Sequence, residues 1–161
     1  RDVNAYFIKI MDDDALYELI ATALAQSGNT PKSSAAKSRI ITLLPLLKER
    51  AKTHLDIAGS IGYLLGDGAI DIDDDVAALL TDDAKAVLRD LDISLTSATW
   101  DLDGLKAAIN GYLAEKNLKM RDIGLPLRAA VTGMKQTPSI IDIMVALGQS
   151  ETSVRLQIAC K

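Results

Sequence analysis

The sequence predicts an all-α protein made of two packed helical subdomains. Three observations carry this expectation. Leu and Ala dominate an apolar fraction of 48%, while aromatic residues make up only 4%, with a single Phe and a single Trp; strands favour β-branched and aromatic residues instead. Apolar residues recur at spacings of three and four, as at Leu16, Leu19, Ile20 and Leu24, the period of one helix face. Clusters of carboxylates stand directly before apolar runs, at Asp12, Asp13 and Asp14, at Asp73, Asp74 and Asp75, and at Asp82 and Asp83. The unpaired N–H groups and dipole of a helix start attract anions there.

Asn4 to Met11 reads as a short apolar turn or helix. The aspartates at 12–14 open the next helix, which Ser27-Gly28-Asn29 closes. Residues 30–38 are a polar connection. Ile40 to Leu47 is helical, with Pro45 expected to kink or restart it. HLDIAGSIGYLLG has helical spacing at Leu55, Ile61 and Leu64, and Gly66-Asp67-Gly68 breaks it. The acidic clusters then introduce VAALL and AKAVLRDL. Residues 93–100 form a second connection, and the subdomain boundary is placed near residue 95, giving units of 1–95 and 96–161. A helix starts near Asp101, runs through Leu105, Ile109, Tyr112 and Leu113, and stops at Asn117. Helices over about 120–132, 138–147 and 151–159 come next, punctuated by Gly133 and Gly148.

The composition excludes several function classes. No apolar run is long enough for a membrane span. The first residues, RDVNAYFIKI, lack the pattern of a signal peptide. The absence of an initiator Met leads us to expect either a trimmed chain or an internal piece of a longer one. Cys160 is the only cysteine, so neither an internal disulfide nor a cysteine-based zinc site is expected, in keeping with a cytoplasmic protein. His54 is the only histidine and has no triad partner motif; it is expected as a surface or helix residue. DGAIDIDDD, residues 67–75, resembles a calcium loop only superficially, because it lacks the Asp-x-Asp-x-Asp-Gly order and the bidentate Glu. There is no P-loop and no GxGxxG. No catalytic residue, metal site or cofactor is expected in this chain.

The net charge of −4 conceals segregation: residues 29–55 carry +5 and residues 104–161 carry +4, while residues 66–103 carry −9. Two basic blocks could dock a polyanion despite the acidic total. The plainer alternative is that these charges only cover solvated faces.

The informative stretch is GLPLRAAVTGMKQTPSIIDIMVALGQSETSVRL, residues 124–156. Pro126 suits a first helical turn. Arg128 stands two residues on, among apolar residues, where a guanidinium is held in a restricted direction and can offer a fixed fork to a phosphate or a base edge. Gly133 permits a left-handed turn. Thr137-Pro138 reads as N-cap and first helical residue. On spacing alone an ordinary, well-capped pair of helices is the slightly better explanation of the stretch.

The string PLRAAVTG…TPSIIDIMVALG…T..RL resembles the C-terminal end of bacterial glutamyl-tRNA synthetases. Upstream, NAYFIKIMDDDALYELI, LLPLLKERAKTHLDIAG with its R-x-x-T, and EKNLKMRDIGLPLR are similar to further segments of that family. The central region 66–96 contributes little. The resemblance implies the all-helical anticodon-binding region of a class I aminoacyl-tRNA synthetase, with the end of the stem-contact region at its start. It implies that Arg50, Arg128, Thr137, Pro138 and Ile140 line the anticodon site, with Arg50 reading the third anticodon base. The catalytic domain, with its HIGH and KMSKS motifs, is absent from this sequence, so ATP and magnesium are implied only for the full-length enzyme. The implied partners are the glutamate tRNA and the remainder of the synthetase, with a monomeric state and no membrane. The alternative function is a stand-alone helical module that binds RNA or protein.

Overall fold

The computed structural model describes residues 5–161. Asn4, the first residue of the expected N-terminal helix, lies outside them. Among the described residues there are ten α-helices, two short 3-10 turns and no strands, so the expected all-α class holds. The chain divides into two compact units at Asp67/Gly68.

The first unit contains α1 (Ala5–Ile10), α2 (Asp13–Gln26), α3 (Ala36–Arg50) and α4 (His54–Ser60), then a 3-10 turn at Gly62–Leu64. α2 packs on α3 and α4, and α1 packs on α3. Asp12 caps α2, its carboxylate accepting from the backbone of Asp14 at 3.1 Å and Ala15 at 3.4 Å. Gly28 ends that helix at φ +81°, with the Asn29 N–H reaching back to the Leu24 carbonyl at 2.8 Å. Leu16, Ile20, Leu24, Ile40, Leu43, Leu44, Ile57 and Leu64 are buried. Pro45 does not restart α3, which runs unbroken past it to Arg50. Its ring is exposed, so water can meet the carbonyl one turn earlier that loses its donor.

The second unit contains α5 (Asp74–Ala77), α6 (Asp82–Ser94), a 3-10 turn at Leu95–Ser97, α7 (Leu102–Glu115), α8 (Met120–Thr132), α9 (Ile140–Leu147) and α10 (Gln149–Ala159). α6 packs on α7, α8 and α10, while α9 packs on α7, α8 and α10. Thr81, not Asp82, caps α6, accepting from the Ala84 N–H at 3.2 Å. Asp101 caps α7 as expected, accepting from Gly104 at 2.7 Å. Asn117 stops α7 in the left-handed region at φ 56°.

The boundary expected near residue 95 falls inside this second unit. The connection there is pinned from both sides. The Gln149 amide donates to the Leu95 carbonyl at 3.1 Å, and the Trp100 indole N–H to the Met144 carbonyl at 2.9 Å. The Tyr112 hydroxyl joins α7 to α6 through the Val87 carbonyl at 3.2 Å and the Asp90 carboxylate at 3.1 Å. The division lies instead at the Gly66-Asp67-Gly68 breaker, where the local sequence already lacks any apolar face to pack.

Candidate nucleic-acid interface

α8 positions the central cation. Its start is held by Asp122, whose carboxylate accepts from the Lys119 N–H at 2.8 Å, and its buried face is Ile123, Leu127, Ala130 and Val131. Pro126 therefore sits inside the helix rather than at its first turn, a correction to the expected start. Arg128 lies half-buried on the same helix.

The end of α8 brings a second site residue to it. Gly133 adopts φ +72°, and a Cβ there would collide with the carbonyl oxygen of Asp71, so the position demands glycine on both counts. The Thr132 hydroxyl donates to the Arg128 carbonyl at 2.7 Å and accepts from the Met134 N–H at 3.1 Å. The reversed chain presents Thr137, whose hydroxyl accepts from Arg128 Nε at 2.8 Å and donates to the Pro138 carbonyl at 2.8 Å. That tether fixes the plane of a guanidinium, whose donors form a rigid fork suited to phosphate or base edges.

Thr137 is thus not the N-cap of the next helix. α9 begins at Ile140 with Ser139 before it, and Ser139 makes no capping bond through its side chain. Thr137 stands three residues before α9, and its hydroxyl bonds Arg128 and Pro138 instead. Pro138 is buried. Ile140 is 3% exposed, so it secures the helix start in the core and offers a base almost no surface.

Arg50 belongs to the first unit. It is the exposed last residue of α3, where a cation complements the carbonyl end of the helix dipole. The threonine of its R-x-x-T stretch is an N-cap: Thr53 accepts from the Asp56 N–H at 3.2 Å, and the Asp56 carboxylate accepts from the Thr53 N–H at 3.1 Å. This capping box makes a turn of three residues between Arg50 and α4. The structure therefore brings Arg128, Thr137 and Pro138 together in the second unit and places Arg50 in the first.

The basic blocks are less available than the formal charge implies. Arg39 is 5% exposed and donates to the Gly66 carbonyl at 3.1 Å and to Asp67 at 2.6 Å. Lys48 donates to the Met11 carbonyl at 3.0 Å and to Asp13 at 2.7 Å. In the second block Arg155 is buried, and Lys135 and Asp75 form an exposed pair at 3.2 Å. His54 is a helix residue, one of its two expected places, and as the first residue of α4 it is buried. Two cavities of the second unit, about 290 Å³ beside Trp100 and about 260 Å³ beside Pro126, are lined by neither Arg128 nor Thr137. The candidate site lies at the end of α8, where Arg155 donates to the Val131 carbonyl at 2.9 Å and to Glu151 at 2.7 Å, bonds that sequence reasoning misses. The signal that points to Arg155 is the T..RL string, where an arginine sits one turn from a glutamate on an otherwise mixed helix.

Together these features define an all-helical domain that presents an oriented arginine beside a helix start. The chain belongs to the anticodon binding domain family, whose profile matches residues 14–160. Among its relatives is the glutamate–tRNA ligase of Bradyrhizobium sp., 33% identical over 163 residues, which covers 98% of this chain and 34% of that protein. Glutamate–tRNA ligase 2 of Brucella ovis is 29% identical over 160 residues, again with 34% of its length covered. The chain thus spans about a third of the length of the relatives it matches. The crystal structure of a glutamate tRNA ligase from Elizabethkingia meningosepticum superposes with a TM-score of 0.80 at 22% identity, over 98% of this chain and 30% of that one. That similarity establishes the fold. Among the described residues no helix is long and apolar enough to cross a membrane.

Proposed function

We propose that this chain is the anticodon-recognising part of a glutamate–tRNA ligase and binds the anticodon loop of the glutamate tRNA. The observation that carries the reading is the Arg128 Nε–Thr137 Oγ1 bond at 2.8 Å, within a chain matched along almost its whole length by the anticodon binding domain profile. Single-stranded loops are read through splayed bases, hydrogen bonds to their edges and phosphate contacts. A guanidinium tethered at Nε suits that task. Arg50 adds a second cation, assigned on resemblance to the third anticodon base.

In this reading the chain supplies recognition, and the remainder of the synthetase supplies ATP- and magnesium-dependent attachment of glutamate. The chain itself holds no cofactor and acts as a monomer in the cytoplasm. The test is gel-shift or filter binding of the purified chain to a glutamate tRNA transcript and to the same transcript with a substituted anticodon. Preference for the native anticodon is expected, with no glutamate-dependent ATP–pyrophosphate exchange. Equal affinity for both transcripts overturns the reading.

A further inference from the structure

The end of α8 is held by a charge that none of the site residues explains. Arg155 on α10 is 1% exposed. Its Nη1 donates to the Val131 carbonyl at 2.9 Å, and its Nε donates to Glu151 Oε2 at 2.7 Å. Glu151 in turn accepts from the Gly68 N–H at 2.8 Å. Val131 lies in the last turn of α8, where carbonyls have no partner within the helix. Removing two charges from water is costly before their attraction repays it, and apolar residues of similar volume often stabilise a fold as well or better. What an apolar pair cannot supply is a directional donor.

The direction matters because Val131 leads straight into the loop that carries Thr137. From the Val131 carbonyl the chain passes through Thr132, which bonds the Arg128 carbonyl, through the left-handed Gly133 against Asp71, and on to Thr137, which holds Arg128 Nε. These links are specific hydrogen bonds and one steric stop, and the Arg155 guanidinium anchors their origin from a different helix. Thr152, also 1% exposed, bonds the Met144 carbonyl of α9 at 3.4 Å. The conjunction of T..RL on one helix thus clamps the C-terminal halves of both α8 and α9.

We propose that Arg155, balanced by Glu151, is a positioning residue for anticodon recognition: it fixes the α8 end so that Thr137 meets Arg128 in one geometry. This rests on the function proposed above. It acts through Arg128 and touches no RNA.

The experiment uses the whole chain with two variants, Arg155→Lys, which keeps the charge but not the planar fork, and the neutral double variant Arg155→Met/Glu151→Met. Two readouts are taken on folded protein. One is the Arg128 Nε–H resonance in a proton–nitrogen correlation spectrum, assigned by its loss in Arg128→Lys. The other is the ratio of affinities for the glutamate tRNA and its anticodon-substituted transcript. In the parent the Nε–H is expected to be resolved and slow to exchange. In either variant that folds it should exchange rapidly, and the affinity ratio should fall about tenfold, the worth of one well-placed charged hydrogen bond. A folded variant with an unchanged Nε–H signal or an unchanged ratio overturns the proposal. Failure of both variants to fold also overturns it, since the pair is then a general stability element. If the parent binds no tRNA, the proposed function fails, yet the resonance still reports whether Arg155 positions Arg128.

Discussion

Thr137 shows how one hydroxyl can be assigned to the wrong task by its neighbours in sequence. Thr before Pro is the pattern of a helix start, yet the side chain turns to Arg128. The residue is legible as important and its role is not, because the choice depends on where the chain goes at Gly133. The consequence is measurable. Arg128→Ala should weaken binding of the glutamate tRNA by about 1–3 kcal/mol, with the loss depending on the anticodon, if the guanidinium reads a base edge. Thr137→Ala should reproduce part of that loss in a folded protein, and Thr137→Ser should restore it, as titrations against the two transcripts would show. Tyr112 supports a prediction of another kind. Burial, and after it the bond to Asp90, pushes the phenol up to about 12. The folded state therefore keeps the proton where the unfolded chain, near 10, has lost it. The stabilisation is complete below pH 10 and declines as pH rises from 10 toward 12. Tyr112→Phe should cost about 1 kcal/mol at neutral pH, and urea titrations should find the gap between parent and variant shrinking over that alkaline window.

At the scale of elements, starts and stops marked by chemistry are readable, and those decided by packing are not. Asp12, Asp101, Asn117 and Gly133 act where their residue types say they should. Pro126 and Pro45 lie inside helices that continue through them, because the burial of Ile123, Leu127, Leu43, Leu44 and Leu47 on the same helices outweighs one lost backbone bond. The helical place of His54 is readable and its burial is not: being the only histidine says nothing about the side of α4 on which it falls. Gly133 is the element-scale position most open to test. Gly133→Ala forces a Cβ into the left-handed region and toward the Asp71 carbonyl. It should cost at least about 1 kcal/mol from the backbone alone, read as a lowered midpoint in urea.

For the whole molecule, the all-helical class can be read from composition, whereas the boundary cannot. A connection at 93–100 and a glycine-flanked break at 66–68 both read as boundaries in sequence, and the bonds of Gln149 and Trp100 across the former distinguish them. Charge behaves similarly. Formal counts assign both basic blocks to the surface, while Arg39, Lys48 and Arg155 are bonded inside their own units. Substituting any of these three should lower stability and leave the salt dependence of tRNA binding nearly unchanged. Arg50→Gln should reduce the slope of log affinity against log salt by about 0.7 if Arg50 meets a phosphate, or narrow the gap between glutamate and glutamine tRNAs if it reads a base. Parallel titrations over a salt series distinguish the two.

The Arg128–Thr137 tether has a consequence for the thermodynamics of association. An arginine free to rotate carries about 2 kcal/mol of rotamer entropy, which a ligand must remove on binding. Here much of that ordering is completed when the chain folds. Association should therefore show a smaller entropic penalty in calorimetry than in Thr137→Ala, where the same guanidinium must first be collected by the RNA.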